Sequence, residues 1–313
     1  MKSKQVLPLV IILVSLILAG CTQTQPGSGG SPFCGGIDGI EMKFVEGGPP
    51  AEVFDNNQFP FEVTLRLLNK GEFTVQPSDT KIELSGISQS DFGGPSYSKI
   101  VAEAVPSRQK DQDGKCTEGS PIHVSFGVSP DEPFKYKHSL PGNTPFTLRA
   151  DICYRYKTLS TTQFCVDKLL PRFDREPTCK IDEAKTVSNS GSPVQVANFK
   201  QDPGGENKLT FSFDVVHKGT GAVHSGALCD TAFQNKNKVH VKVSASVGAI
   251  TCSTLGGTNE GDVVLTENKR PVTCSMNTAS VSGQREFQTP ISIELSYNYK
   301  QHEDTAILVK HLR

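Results

Sequence analysis

The residues best equipped for chemistry in this 313-residue chain are its nine cysteines. Eight of them are spread along it: Cys34, Cys116, Cys153 and Cys165 in the first half, then Cys179, Cys229, Cys252 and Cys274. Such thiols either hold a metal as thiolates or oxidise in pairs. Zinc needs closely spaced ligands, and the sequence offers no Cys-x-x-Cys pair and no histidine at ligand spacing from one. His217 and His224 come near Cys229, but within the glycine-rich stretch HKGTGAVHSG, which reads as a long loop after a strand. An even count of eight points to disulfides, formed where the surroundings do not keep thiols reduced. The acidic stretch DQDGKCTEG opens like a calcium loop with Asp111, Asp113 and Gly114. Ile122 stands where the twelfth-position carboxylate belongs, so a solvated turn is expected there. No nucleophile elbow, phosphate-binding glycine loop or zinc-protease helix occurs, and no acid, base and nucleophile set can be assembled. Neither enzymatic activity nor a metal or cofactor is expected.

The ninth cysteine sits differently. Lys2 and Lys4 precede an apolar run over residues 6–19, which ends in Ala19-Gly20 and then Cys21. A basic start, a short apolar core and a small-residue end form the layout of an export signal, and the run is too short to favour a membrane span. LAGC resembles the lipobox of lipoprotein precursors. That resemblance implies cleavage before Cys21, a lipid on its thiol, and attachment of the mature chain to a membrane by several acyl chains. The polar, Gly/Ser-rich residues 22–32 suit a flexible tether. The expected division is a signal peptide over 1–20, a lipid-anchored linker over 21–33, and two folded domains over 34–171 and 172–313.

Those domains are read from an internal duplication. FEVTLRLLNKG (residues 61–71) aligns with LTFSFDVVHKG (residues 209–219). Each has apolar residues at every second place, Phe61, Val63, Leu65 and Leu67 against Leu209, Phe211, Phe213 and Val215, as a half-buried strand requires. The closing glycine is expected at a turn, where it can take positive φ. Later, ICYRYKTLSTTQFCV (152–166) aligns with LSYNYKQHEDTAILV (295–309). Both read as hairpins, turning near Leu159 and near His302. That register sets Tyr154 opposite Phe164 and Tyr297 opposite Ile307, and it brings Cys153 and Cys165 face to face as a predicted disulfide. Cys34–Cys116, Cys179–Cys229 and Cys252–Cys274 would complete the set, although spacing alone cannot choose among the alternatives. Each bridge contributes roughly 2–4 kcal/mol.

A further alternating strand in each half, TKIELSG and KVHVKVSAS, completes an all-β pattern of short strands and Gly/Pro-rich turns. Tryptophan is absent, and the formal net charge of −1 with no Lys/Arg run excludes a nucleic-acid partner. The pattern VTLRLLNKGEFTVQPSDTKIEL (63–84) resembles CARDB and related immunoglobulin-like modules of secreted prokaryotic proteins, many of them archaeal. The resemblance implies two tandem β-sandwiches and a role as spacer, adhesin or protein-binding module. Residues 86–121 and 217–237 are the long loops expected to face a protein or envelope-polymer partner. The expectation is a cell-surface, lipid-anchored binding or structural protein on the external face of the membrane. The second expectation is an accessory lipoprotein that helps deliver a solute or assemble a membrane complex.

Overall fold

A computed structural model describes residues 30–167, 179–205, 207–279, 281 and 286–312. The leader, Cys21, most of the tether and the expected domain boundary at 171/172 lie outside the described residues. The first half contributes β1 (Ile40–Phe44), β2 (Glu52–Phe54), β3 (Val63–Asn69), β4 (Thr80–Ser85), β5 (Ser98–Ile100), β6 (Gln109–Lys110), β7 (Cys116–Thr117), β8 (Ile122–Phe126) and β9 (Thr144–Asp167). The second contributes β10 (Ser188–Asn189), β11 (Val194–Pro203), β12 (Lys208–His217), β13 (Ala222–His224), β14 (Lys238–Ala245), β15 (Ala249–Cys252), β16 (Glu260–Val264), β17 (Lys269–Asn277) and β18 (Glu286–Lys310). The chain is all-β, and no helix among the described residues is long and apolar enough to cross a membrane.

The duplication is visible in the topology. A nine-stranded sheet runs β16-β14-β18-β9-β4-β5, with β10, β13 and β2 attached at its sides. Two smaller sheets, β1-β3-β8 and β11-β12-β17-β15, contribute to the same hydrophobic core. The alternating strands bury the residues their pattern selects: Val63, Leu65 and Leu67 in β3, and Leu209, Phe211, Phe213 and Val215 in β12. Ile82 and Leu84 in β4 match Val239, Val241 and Val243 in β14.

Neither expected hairpin exists. β9 is one strand of 24 residues and β18 one of 25, and the two pair antiparallel along their whole length. Leu159 and His302, placed at turns by the sequence, pair with Glu294 and Asp151. A period of two reads the same along a straight strand as around an even-register hairpin, so alternation could not separate them. The polar run after Tyr156 suggested a turn, yet Thr158, Ser160 and Thr162 are buried and bonded. Their hydroxyls donate to Ser192 Oγ at 2.9 Å, Asn189 Oδ1 at 2.7 Å and the Thr186 carbonyl at 2.9 Å.

The disulfide expectation falls with the hairpin. Cys153 and Cys165 lie twelve residues apart on one straight strand, hence roughly 40 Å apart. The bridges are Cys34–Cys116, Cys153–Cys229, Cys165–Cys179 and Cys252–Cys274. Two of these answer the expected pairs, whereas Cys153–Cys165 and Cys179–Cys229 are replaced. Four disulfides mark a protein built for an oxidising, extracytoplasmic compartment.

Where β9 crosses β18 the halves share a core. Arg155 pairs with Asn298, Tyr154 with Tyr299, and Tyr156 with Tyr297. The duplication equates Tyr154 with Tyr297 and Tyr156 with Tyr299, so a pseudo-two-fold axis passes at the Arg155–Asn298 pair. The hydroxyls obey it. Ile40 N–H donates to Tyr154 at 3.0 Å, and Val194 N–H to Tyr297 at 3.3 Å. The Tyr156 hydroxyl donates to Asn69 Oδ1 at 2.9 Å, while the Tyr299 hydroxyl lies 3.3 Å from His217 Nε2. Gly71 and Gly219, which close the repeated Lys-Gly pairs, sit under Tyr156 and Tyr299, where a Cβ would collide with the hydroxyl. Neither glycine has positive φ, so close approach, not turn geometry, requires them.

Candidate functional site

Between β3 and β4 the chain needs only residues 70–79, but the equivalent connection from β12 to β14 takes residues 218–237, twice as many. The extra length forms a strap over the outer face of the nine-stranded sheet. β13 seats it on β18, with Ala222 opposite Lys300 and His224 opposite Asn298. The Cys153–Cys229 bridge pins it to β9, the strand of the other half. By topology this strap is the counterpart of the short connection, not of residues 86–121 as the sequence suggested. Residues 86–121 are woven into the fold: Phe92, Val101 and Val105 are buried, and β7 is bridged to Cys34. The DQDG stretch is the exposed turn joining β6 to β7, with the Lys115 N–H donating to Asp111 Oδ1 at 2.8 Å.

The strap is braced throughout. Asp230 accepts from Ala232 N–H at 2.8 Å and from Asn235 Nδ2 at 2.7 Å, and these bonds hold its carboxyl below the usual range. The Ser225 N–H donates to the Asn235 carbonyl at 2.9 Å, and the Asn237 N–H to the Val223 carbonyl at 2.8 Å. Asn298 Nδ2 donates from the sheet to the carbonyls of Gly226 and Ala227, both at 3.1 Å. Within it His224 is buried, with Nδ1 lacking a partner among the described residues. Burial lowers its pKa, helped by the charges of Lys236 and Lys300.

Beside the strap, at the pseudo-axis, opens a cavity of about 520 Å³. Phe73 and Asp79 come to it from the short connection, Ser225 and Asn235 from the strap, and Arg155 and Lys157 from β9. Arg155 pairs with Asp79 at 3.0 Å and Lys157 with Glu294 at 2.9 Å, and His240 Nδ1 lies 2.8 Å from Asp262 Oδ1. The Lys157 hydrogen bond lowers the Glu294 pKa. Two residues from Asn235 the strap carries Phe233, which is 88% exposed. Val264 of β16 and Leu159 of β9 are also exposed, at 51% and 47%. The strap is thus an ordered loop that holds an aromatic ring in water.

The sequence reading pointed to the strap as a loop but missed Phe233, although a lone aromatic in the polar run CDTAFQNKNK was the available signal. Its histidines are not gathered around sulfur. Cys229 is oxidised, His224 is buried within the strap, and His217 rests against Tyr299. Cys165, Cys179 and Glu286 converge closely enough to suggest a metal, but the two sulfurs are bonded to each other and offer no thiolate. No protein-family model matches this chain, and no curated protein is significantly similar to it.

Proposed function

We infer that this is a non-catalytic, disulfide-stabilised binding or adhesion protein, held on the outer face of a membrane by lipid on Cys21. It recognises a protein or envelope-polymer partner through the strap and the sheet face around it. The observation that carries this reading is Phe233, fixed in water by a loop that a disulfide and six hydrogen bonds already order. Binding there needs little further ordering, which is where affinity is otherwise lost. The four bridges support an external site of action, and the LAGC pattern supports the anchor.

Two measurements test it. Mass spectrometry of the mature N-terminal peptide should find Cys21 first and acylated; an unmodified thiol or an uncleaved leader refutes the anchor. The immobilised full-length chain should capture a component of the native envelope, and Phe233→Asp should abolish capture without lowering the melting temperature. Capture unaffected by that substitution refutes the assignment of the face. The cavity itself favours the second reading, a role in solute delivery, which predicts small-solute binding that survives Phe233→Asp.

A further inference from the structure

We propose that the cavity beside the strap takes a small monocarboxylate with a ring-sized apolar body, its carboxylate held by the ammonium of Lys238. This inference rests on the solute-delivery reading and names the class of solute. The register of the sheet builds one side of the cavity. Asp262 of β16 pairs with His240 of β14, His240 with Ser296 of β18, and Ser296 with Lys157 of β9, so one row of side chains crosses four strands on the same face. Two residues along, Lys238 of β14 and Arg155 of β9 stand on that face by the strand period, and all six residues line the cavity. Phe73 adds an apolar wall, a half-buried ring set edge to face against Tyr156 with centroids 5.6 Å apart.

The charges of that lining select the ligand. Arg155 donates to Asp79, Lys157 to Glu294, and His240 is bonded to Asp262, so each already has a partner within the chain. Lys238 has none. Its cross-strand partner on β16 is Val264, and its ammonium makes no ion pair or hydrogen bond among the described residues, although the residue is half-buried. One cation left over at a partly desolvated wall favours one negative charge, and a charge-assisted bond is stronger there than in open water. A phosphate dianion would carry more charge than Lys238 offsets and would meet Asp79 and Asp262, while an ammonium would meet Lys238 and no free carboxylate. At about 520 Å³ the cavity falls within the range that accepts small organic molecules, so a phenyl-sized ring fits beside Phe73 with its carboxylate at Lys238.

The test titrates the full-length, oxidised chain in mild detergent with probes of one shape and different charge: benzoate, benzamide, benzylamine and phenyl phosphate. Calorimetry gives the affinities, and amide chemical shifts locate the site. Benzoate should bind at least about tenfold more tightly than each of the others, with its shifts centred on β14 and β18 beside the strap. Lys238→Met should bring benzoate down to the level of benzamide. Lys242→Met, which removes a lysine of the same face that is paired with Glu260 at 3.2 Å and does not line the cavity, should leave benzoate binding unchanged. Ser296→Trp, which fills the hollow, should abolish it, with melting temperatures showing that each variant folds. Another probe bound as tightly as benzoate, benzoate binding indifferent to Lys238→Met or to Ser296→Trp, or no benzoate binding in the millimolar range would each overturn the inference. A probe other than benzoate held in the same cavity leaves solute delivery standing, and only a cavity that retains no small solute refutes that reading.

Discussion

Gly71→Ala measures how tightly the two halves are fitted at their shared core. A Cβ there would overlap the Tyr156 hydroxyl and stand 2.5 Å from the Gly191 carbonyl oxygen and 2.7 Å from that of Asp38. The backbone oxygens belong to both halves and cannot swing away, so the tyrosine must move. Overpacking of this kind costs about 1–3 kcal/mol. Displacing the Tyr156 hydroxyl also breaks its 2.9 Å bond to buried Asn69, for about 1–2 kcal/mol more. The expected loss is about 2–5 kcal/mol, or about 4–10 °C in melting temperature for a unit of this size. Gly142→Ala is the control, because nothing lies within 4 Å of a Cβ there, and its effect should stay within about 0.5 kcal/mol. Denaturant unfolding with disulfides intact reads both. Adding Tyr156→Phe removes the nearest clashing atom but not the carbonyls, so it should recover part of the loss, a coupling of about 1–2 kcal/mol. Gly71→Ala as stable as the control, or two effects that simply add, would refute the close-approach explanation.

Two further outcomes follow from buried contacts. Asp55 is buried and accepts from the N–H groups of Leu140 at 3.0 Å and Leu312 at 3.1 Å and from His311 Nδ1 at 2.8 Å, with its pKa lowered to about 2, chiefly by the Leu140 amide. A lowered carboxylate pKa gives stability that is complete above about pH 4 and lost as pH falls towards 2; Asp55→Asn should flatten that acid limb in pH-dependent unfolding. Replacing Cys153 and Cys229 together by serine opens a closure of 76 residues, worth about 4.5 kcal/mol by chain entropy, and should speed amide exchange in the strap more than in β3 or β12.

What the sequence disclosed was whatever depends on local period. The faces of β3 and β12, and of β4 and β14, could be read residue by residue, because one side of each meets a core and the other meets water. The duplication was equally plain. Whether β9 turns back on itself or runs straight depends on its partner, and that partner, β18, lies more than a hundred residues away. The buried hydroxyls of Thr158, Ser160 and Thr162 look polar in sequence because their acceptors near β10 and β11 are equally remote. The pairing of the cysteines is hidden for the same reason: the partner of Cys153 is Cys229, 76 residues away in the other half. Gly71 and Gly219 were recognised as a repeated signal but assigned the wrong cause, since a clash with a distant tyrosine leaves no local mark.

A duplicated fold also shows where selection has acted, because two copies that began alike keep in common what the fold needs. The tyrosines, the paired β9 and β18, and the glycines beneath the hydroxyls are shared, and they account for the core. The strap is not shared. The second copy alone carries it, and the staple is equally one-sided, since Ser296 occupies in the second copy the place of Cys153. A connection lengthened for no purpose would cost chain entropy and tend to lie loose at the surface. This one is instead bridged to the opposite half, bonded at both ends and shaped over the pseudo-axis. There the short connection of the first copy supplies Phe73 and Asp79 to the same cavity. The one apolar ring it displays faces water. Departure from symmetry therefore coincides with an ordered loop, a hollow and an exposed aromatic, and that coincidence is the reason for proposing a binding face at the pseudo-axis rather than at the sandwich ends.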